Sequence, residues 1–70
     1  RLALEGVGRV AQKVGEEGVE TALAAVPATD AAFTGEAADL LYHLIVLLRV
    51  RKLSLNDAIA VLEKRHASKR

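Results

Sequence analysis

The segment GEAADLLYHLIVLLRV, residues 35–50, sets the architecture of this chain. From Leu40 to Val50 the only residues that are not aliphatic are Tyr42, His43 and Arg49. A helix over these residues is apolar almost all the way round, and such a helix is stable only when neighbours cover it on every side.

One short chain cannot supply that cover. The sequence has 70 residues, enough for a single domain over residues 1–70, and a chain of this size buries a limited fraction of its surface. A symmetric homodimer, in which the apolar helix packs against its twin in a four-helix-type core, is the economical solution. The alternative is a monomer with one unusually apolar helix.

Composition predicts an all-α fold. The chain is 51% hydrophobic and 27% charged, as in globular proteins. Its commonest residues are the helix formers Ala, Leu, Glu, Lys and Arg, and the alternation of β-branched or aromatic residues that indicates strands is nearly absent. A net charge of +1 and an aromatic content of 3% argue against a nucleic-acid partner. The absence of cysteine excludes disulfides and thiolate ligands to zinc.

No signal peptide is visible, and the uncharged apolar run from Leu40 to Leu48 is too short to span a bilayer. We therefore expect a cytoplasmic protein without a membrane partner. The sequence starts at Arg1 and contains no methionine, so we expect it to be part of a longer polypeptide.

Turn residues divide the chain into four predicted helical segments. The first ends at Gly6, which is suited to a C-terminal cap, and the second covers about Val7–Val26. The third continues to about Arg51, and the last covers about Leu55–Arg65 before a basic tail.

Capping signals support these boundaries. Pro27 disfavours helical geometry at the residue before it and so stops the second segment. Thr29 or Asp30 can cap the third segment. Ser54 followed by Asp57 resembles a capping box at the start of the last one.

The segment KVGEEGVE carries a first acidic cluster. Residues three and four apart share a helix face, so Glu16, Glu17 and Glu20 are predicted to lie on one stripe, with Lys13 one turn earlier.

A second acidic pair, Glu36 and Asp39, has the same spacing, with His43 one turn further on. The loop at Pro27 makes the two helices antiparallel neighbours and brings both acidic clusters to about the same level. For His43 the alternative is a core histidine with one satisfied nitrogen.

Several carboxylates at the edge of an apolar core repel one another unless a cation offsets them. Lys13 offsets one charge, and a divalent cation offsets the others. Oxygen ligands without cysteine fit Mg²⁺, or Mn²⁺, better than zinc or copper. Since Mg²⁺ commonly binds substrate phosphates as well, a phosphate ester or anhydride is the expected substrate class. The alternative is that both clusters are solvated helix faces.

These motifs resemble a known family. The pattern EExxE followed after a short loop by ExxD resembles the MazG-like all-α nucleoside triphosphate pyrophosphohydrolases. Within that group, KVGEEGVE, EAADLLYHLIVLL and LSLNDAIAVLEKRH are similar to the phosphoribosyl-ATP pyrophosphohydrolases of histidine biosynthesis, over nearly the whole chain.

The resemblance implies Mg²⁺-dependent hydrolysis of phosphoribosyl-ATP to phosphoribosyl-AMP and pyrophosphate, the second step of histidine biosynthesis, in the cytoplasm. It also implies an intertwined helical homodimer. The residues that match the family's metal ligands are Glu17, Glu20, Glu36 and Asp39.

The resemblance also assigns roles outside the ligand set. Glu16 matches an additional acid that holds a second metal or the attacking water, and Lys13 matches a lysine suited to a phosphate oxygen. Arg9 and His43 join Lys13 as candidate substrate-binding residues. Gly18 stands where alanine is more usual in this family, and family members carry a further segment upstream of the first residue.

Two other functions remain open at this point. One is a pyrophosphohydrolase of the same fold that acts on other nucleoside or deoxynucleoside triphosphates. The other is a non-catalytic helical dimerisation module. The sequence also leaves open which carboxylate acts as the base and whether the chain is fused to the next enzyme of the pathway.

Overall fold

The computed structural model describes the backbone of residues 2–68 and the side chains of residues 6–67, and it contains three helices. Helix α1 spans Leu2–Ala24, α2 spans Asp30–Val50 and α3 spans Leu55–Ser68. No strand occurs in this part of the chain. The predicted all-α class is confirmed.

The predicted helix end at Gly6 is wrong. Helix α1 runs through Gly6 without a break and ends at Ala24, two residues before the predicted Val26. A glycine that caps a helix adopts a positive φ, and none of the described glycines does so. The first two predicted segments are therefore one helix.

The boundaries of α2 follow the capping signals. The side chain of Thr29 accepts a hydrogen bond from the Ala32 N–H at 3.2 Å, which identifies Thr29 as the N-cap. At the other end, the Leu53 N–H donates to the Leu48 carbonyl at 2.7 Å and the Lys52 N–H donates to the Arg49 carbonyl at 2.9 Å. This is the bonding pattern of a Schellman motif, and it places a non-glycine residue, Lys52, at a φ of 63°.

The start of α3 is the predicted capping box. The backbone N–H of Ser54 donates to Asp57 Oδ2 at 2.8 Å, and the Asp57 N–H donates to Ser54 Oγ at 3.3 Å. Helix α3 continues to Ser68, three residues beyond the predicted end at Arg65, so part of the predicted basic tail is helical.

Helices α1 and α2 form an antiparallel hairpin joined by residues 25–29, while α3 makes little contact with either. Thr21 Oγ1 lies 2.7 Å from the carbonyl oxygen of Glu17 and 3.1 Å from the carbonyl oxygen of Glu36. This contact joins residues 15 positions apart in sequence and fixes the level at which the helices pass each other. The predicted alignment of the two acidic clusters along the hairpin is confirmed.

The contact between α1 and α2, called the seam below, has a polar centre. Its α1 side is a row of buried or half-buried residues at three- and four-residue spacing, namely Val10, Val14, Glu17, Thr21 and Ala24. Its α2 side contains the half-buried residues Phe33, Glu36, Leu40, His43 and Leu47. The four central polar residues, Glu17, Thr21, Glu36 and His43, are called the polar layer below.

Among the described side chains, no apolar residue is buried. Several large ones are strongly exposed, including Leu23 at 71% and Tyr42 at 63%. No residue of α2 is buried, because α1 covers only one side of it. The homodimer stays a prediction. The apolar surface of α2 that led to this prediction is exposed in the single chain.

Within the described residues, α2 is long and apolar enough to cross a membrane when judged by length and composition alone. Signal sequences and the core helices of soluble proteins pass the same test; core helices are mostly buried, whereas none of the α2 window is buried in the single chain. Glu36 and Asp39 lie within this helix, and a central Asp costs about 2.5–3.5 kcal/mol on insertion. We therefore retain the interpretation that protein, and not lipid, covers α2.

Replacing Thr21 with valine is expected to lower the free energy of unfolding by about 1 kcal/mol per chain, because the hydroxyl that links Glu17 to Glu36 is lost while the side-chain shape is kept. Denaturant unfolding measures the change. Thr21→Ser, which keeps the hydroxyl, is the matched control. A Thr21→Val protein as stable as the wild type would show that this hydrogen bond does not stabilise the hairpin.

Replacing Lys52 with glycine is expected to raise the free energy of unfolding by about 1 kcal/mol, because glycine adopts a positive φ without the steric cost that a Cβ carries. Thermal unfolding of Lys52→Gly and Lys52→Ala separates this effect from loss of the lysine side chain. A glycine variant no more stable than the alanine variant would contradict the explanation.

Candidate functional site

Glu17 lies at the centre of the site. It is the one buried charged residue among the described side chains, with 7% of its surface exposed. The seam places it there because it follows Val14 by three residues and precedes Thr21 by four, on the face of α1 that meets α2. A buried carboxylate requires a hydrogen-bonding partner.

His43 is that partner. Its Nδ1 lies 2.6 Å from Glu17 Oε1 and 3.2 Å from the backbone carbonyl oxygen of Asp39. A backbone carbonyl can only accept, so the contact with Asp39 assigns the proton to Nδ1, and the same N–H points to Glu17. The ring of the neighbouring Tyr42 lies against the imidazole in a T-shaped arrangement, with 5.0 Å between ring centroids and 80° between ring planes.

Glu36 and Asp39 are both held through their backbones. The carbonyl of Glu36 contacts the Thr21 hydroxyl, and the carbonyl of Asp39 accepts from His43. The Glu36 residue is half-buried and Asp39 is exposed. Packing therefore fixes the position of the Asp39 backbone but leaves its carboxylate in solvent.

Glu16 and Glu20 are exposed, and Glu16 Oε2 accepts a hydrogen bond from Gln12 Nε2 at 3.0 Å. The three glutamates predicted to form one stripe therefore do not share one environment. Glu17 is buried against α2, Glu16 lies on the outer face, and Glu20, three residues after Glu17, is exposed beside the seam. Successive helical residues are about 100° apart around the axis, so Glu16 and Glu17 cannot share an orientation.

The candidate cations lie one or two turns before Glu16. Arg9, Gln12 and Lys13 line an open concavity of about 420 Å³ on the outer side of α1. Arg9 and Lys13 are four residues apart and Lys13 is three before Glu16, so these side chains share the outer face. The structure thus places the predicted cations at exposed positions near Glu16, and Lys13, which is also four residues before Glu17, lies where the outer face meets the seam.

A larger concavity, of about 590 Å³, lies at the α2–α3 turn. None of the predicted site residues lines it, although Ile45 is only two residues after His43; Asp39 and Arg49 are ten positions apart on α2, or about 15 Å along the helix. Its lining residues are Ile45, Arg49, Lys52, Leu53, Ser54, Leu55 and Asn56.

The predicted metal ligands fit a magnesium ion in the chemistry of their donor atoms and in their position along the hairpin. Their donors are carboxylate oxygens, which Mg²⁺ prefers, and the hairpin brings Glu17 level with Glu36 and Asp39. Within the described residues, however, no group of three or more His, Asp or Glu side chains is gathered into a metal-binding arrangement. The exposed carboxylates of Glu20 and Asp39 are not held by packing.

Two contacts of the site were missed by sequence reasoning. Thr21 was not singled out, although a threonine inside a helix commonly bonds to the carbonyl four residues earlier, and its spacing from Glu17 places it on the same face. The pairing of His43 with Glu17 was also not predicted. The sequence analysis did include the alternative that His43 is a core histidine with one satisfied nitrogen, and the contacts of Nδ1 match that alternative.

Comparison with known proteins identifies the family. The family model for phosphoribosyl-ATP pyrophosphohydrolase matches residues 1–66. The chain is 67% identical over 66 residues to the histidine biosynthesis bifunctional protein HisIE of Xanthomonas campestris pv. campestris, covering 94% of this chain and 32% of that protein.

Other relatives carry the same description. The HisIE protein of Xylella fastidiosa is 71% identical over 62 residues, covering 89% of this chain and 30% of that protein. The HisIE protein of Salmonella typhimurium is 54% identical over 66 residues, covering 94% and 32% respectively. The chain thus spans about a third of the length of these curated relatives. No solved structure matches it significantly.

The family match covers all of α1 and α2 and most of α3, including every residue of the polar layer. This chain belongs to the phosphoribosyl-ATP pyrophosphohydrolase family.

Proposed function

We propose that this chain hydrolyses phosphoribosyl-ATP to phosphoribosyl-AMP and pyrophosphate, as a homodimer in the cytoplasm. Membership of the phosphoribosyl-ATP pyrophosphohydrolase family supports the substrate and the reaction. The relatives' description as bifunctional histidine biosynthesis proteins supports the pathway.

The structural observation that carries the proposal is that the two acidic segments, one on α1 and one on α2, lie at the same height along the hairpin. The Thr21 hydroxyl bridges the backbone of Glu17 to that of Glu36, and His43 bridges the Glu17 carboxylate to the backbone of Asp39. Acids from two different helices therefore lie around one short stretch of the hairpin. A solvated acidic helix face requires no such alignment.

Mg²⁺, or Mn²⁺ in its place, is the proposed cofactor, with Glu17, Glu20, Glu36 and Asp39 as its protein ligands. When bound, the ion would neutralise charge on the phosphate oxygens and polarise the phosphorus that is attacked. The absence of cysteine and the carboxylate donor set favour this metal over zinc.

The outer face of α1 is the proposed phosphate-binding and base-bearing surface. Arg9 and Lys13 lie together at one concavity, where two cations can bind the oxygens of a polyphosphate. Glu16 is next along this face and is oriented by Gln12. We assign to Glu16 the role of accepting the proton of the attacking water, after which the anhydride P–O bond breaks and pyrophosphate leaves.

The homodimer is supported by the surface area of the single chain. One chain exposes 5701 Å², whereas a compact monomer of its mass, 7.5 kDa, exposes about 4,200 Å². The excess of about 1,500 Å² per chain, or about 3,000 Å² per pair, lies in the range of obligate homodimer interfaces. A second copy that packs on α2 would cover this surface.

Replacing Asp39 with asparagine is expected to reduce turnover of phosphoribosyl-ATP at least about 100-fold, because one charged oxygen ligand is lost where the transition state accumulates charge. Since the side chain is exposed, circular dichroism should show an unchanged helical fold. Pyrophosphate release measures the rate. Glu63→Gln, an exposed acid on α3, is the matched control.

The same assay tests the substrate and the metal. Wild-type turnover should disappear on chelation with EDTA and return on addition of Mg²⁺. Near-normal release by Asp39→Asn would refute its role as a ligand. Faster hydrolysis of deoxynucleoside triphosphates than of phosphoribosyl-ATP would identify a different pyrophosphohydrolase, and no hydrolysis of either would favour a dimerisation module.

Replacing Leu41 with lysine is expected to dissociate the dimer, because this half-exposed residue of α2 would carry a charge into an apolar interface. Analytical ultracentrifugation should give twice the chain mass for the wild type and a monomeric or unfolded species for the variant. Val26→Lys, in the loop and 93% exposed, is the control and should stay dimeric. A monodisperse, folded wild-type monomer would contradict the proposal.

A further inference from the structure

We infer that His43 is a positioning residue that holds the Glu17 carboxylate at the metal site, and not a residue that contacts the substrate. This inference rests on the proposed function, because it concerns the same site. The sequence suggested that His43 binds substrate. A positioning role instead predicts that changes at His43 alter the affinity for Mg²⁺.

The contacts of His43 are made within the hairpin. Its Nδ1 donates to Glu17 Oε1 at 2.6 Å and to the Asp39 carbonyl at 3.2 Å, and Tyr42 packs against its ring. The side chains of His43 and Glu17 are only 24% and 10% exposed. Nδ1 is therefore already occupied, and with the proton on Nδ1 the other ring nitrogen, Nε2, is an acceptor that cannot donate to a phosphate oxygen.

The geometry gives this pair a specific task. Glu17 comes from the EExxE segment on α1, and Asp39 comes from the ExxD segment on α2. One imidazole N–H thus links the side chain of one proposed ligand to the backbone of another, across the seam. The bond uses one carboxylate oxygen of Glu17 and leaves the second for a metal ion.

Outer-shell hydrogen bonds of this kind orient ligating carboxylates, and their removal weakens metal binding about 10–100-fold. Without the His43 N–H, the Glu17 carboxylate would be buried with no donor, and its three side-chain torsions would be free to turn it away from Asp39. His43 therefore preorganises the half of the site that faces the seam.

The test compares substitutions that keep or remove the donor at Nδ1. In His43→Asn the amide nitrogen can occupy the place of Nδ1, whereas His43→Leu has similar bulk and no donor. Mg²⁺ affinity is measured by calorimetric titration. We expect His43→Leu to weaken Mg²⁺ binding at least about tenfold and His43→Asn to stay within about threefold of the wild type.

A double-substitution cycle shows whether His43 acts through Glu17. Glu17→Gln alone is expected to weaken Mg²⁺ binding, and adding His43→Leu to it should cause no further loss, because the carboxylate that His43 holds is already gone. With phosphoribosyl-ATP, His43→Leu should lower kcat with little change in KM at saturating Mg²⁺.

The metal-free protein gives an independent readout. The ¹⁵N chemical shifts of the His43 ring should show a protonated Nδ1 in the wild type, as its two acceptors require. If His43→Leu does not fold, His43→Gln takes its place, since its amide reaches the position of Nε2 and not that of Nδ1. It should bind Mg²⁺ as weakly as expected for the leucine variant.

The inference is overturned if the donor-free variant binds Mg²⁺ within about threefold of the wild type, if its effect persists in full in Glu17→Gln, or if it raises KM alone. It is also overturned if the wild type binds neither Mg²⁺ nor Mn²⁺. Failure of the proposed function looks different: the wild type would bind Mg²⁺ but not hydrolyse phosphoribosyl-ATP, and the titrations would still decide the role of His43.

Discussion

The polar layer in the seam between α1 and α2 is the feature on which the rest of the structure depends. An apolar seam would allow the two helices to slide or rotate, whereas the hydrogen bonds of Thr21 and His43 are satisfied at one relative position. That position sets the acidic segments level with each other. The same layer keeps α1 against one side of α2 and leaves the apolar remainder of α2 exposed in the single chain.

The structure and the proposed chemistry both depend on the different environments of the residues around α1. The inner face of α1 carries Glu17, whose carboxylate is buried and paired. Glu16, Arg9 and Lys13 are exposed to solvent on the adjoining surface, with Lys13 one turn before Glu17. A metal needs fixed ligands, while a polyphosphate that enters from solvent needs accessible cations and an accessible base. The helix period supplies both environments within three turns of α1.

Much of the fold could be predicted because its signals are local. The cap at Thr29 and the box formed by Ser54 and Asp57 depend on residues three apart, and the structure contains both. Gly6 failed as a predicted cap because glycine permits a helix end without requiring one. The alignment of the acidic segments followed from counting turns on either side of a short loop.

The side-chain arrangement of the site could not be predicted in the same way. Whether Glu16 or Glu17 faces the partner helix depends on the rotation of α1 about its axis, which several weakly apolar positions of the helix set together. The contact of His43 with Glu17 spans 26 residues and depends on how closely the helices approach. Spacing alone placed His43 one turn after Asp39 and left its partner undetermined.

Anomalous diffraction from crystals grown with Mn²⁺ would locate the proposed metal ion, because the metal's own signal gives its position without assuming any ligand. We expect a peak bounded by carboxylates from both helices, with Glu17 on one side and Glu36 or Asp39 on the other. A peak bound only by the exposed Glu16 and Glu20 of α1, or no peak near either helix, would contradict the proposed site.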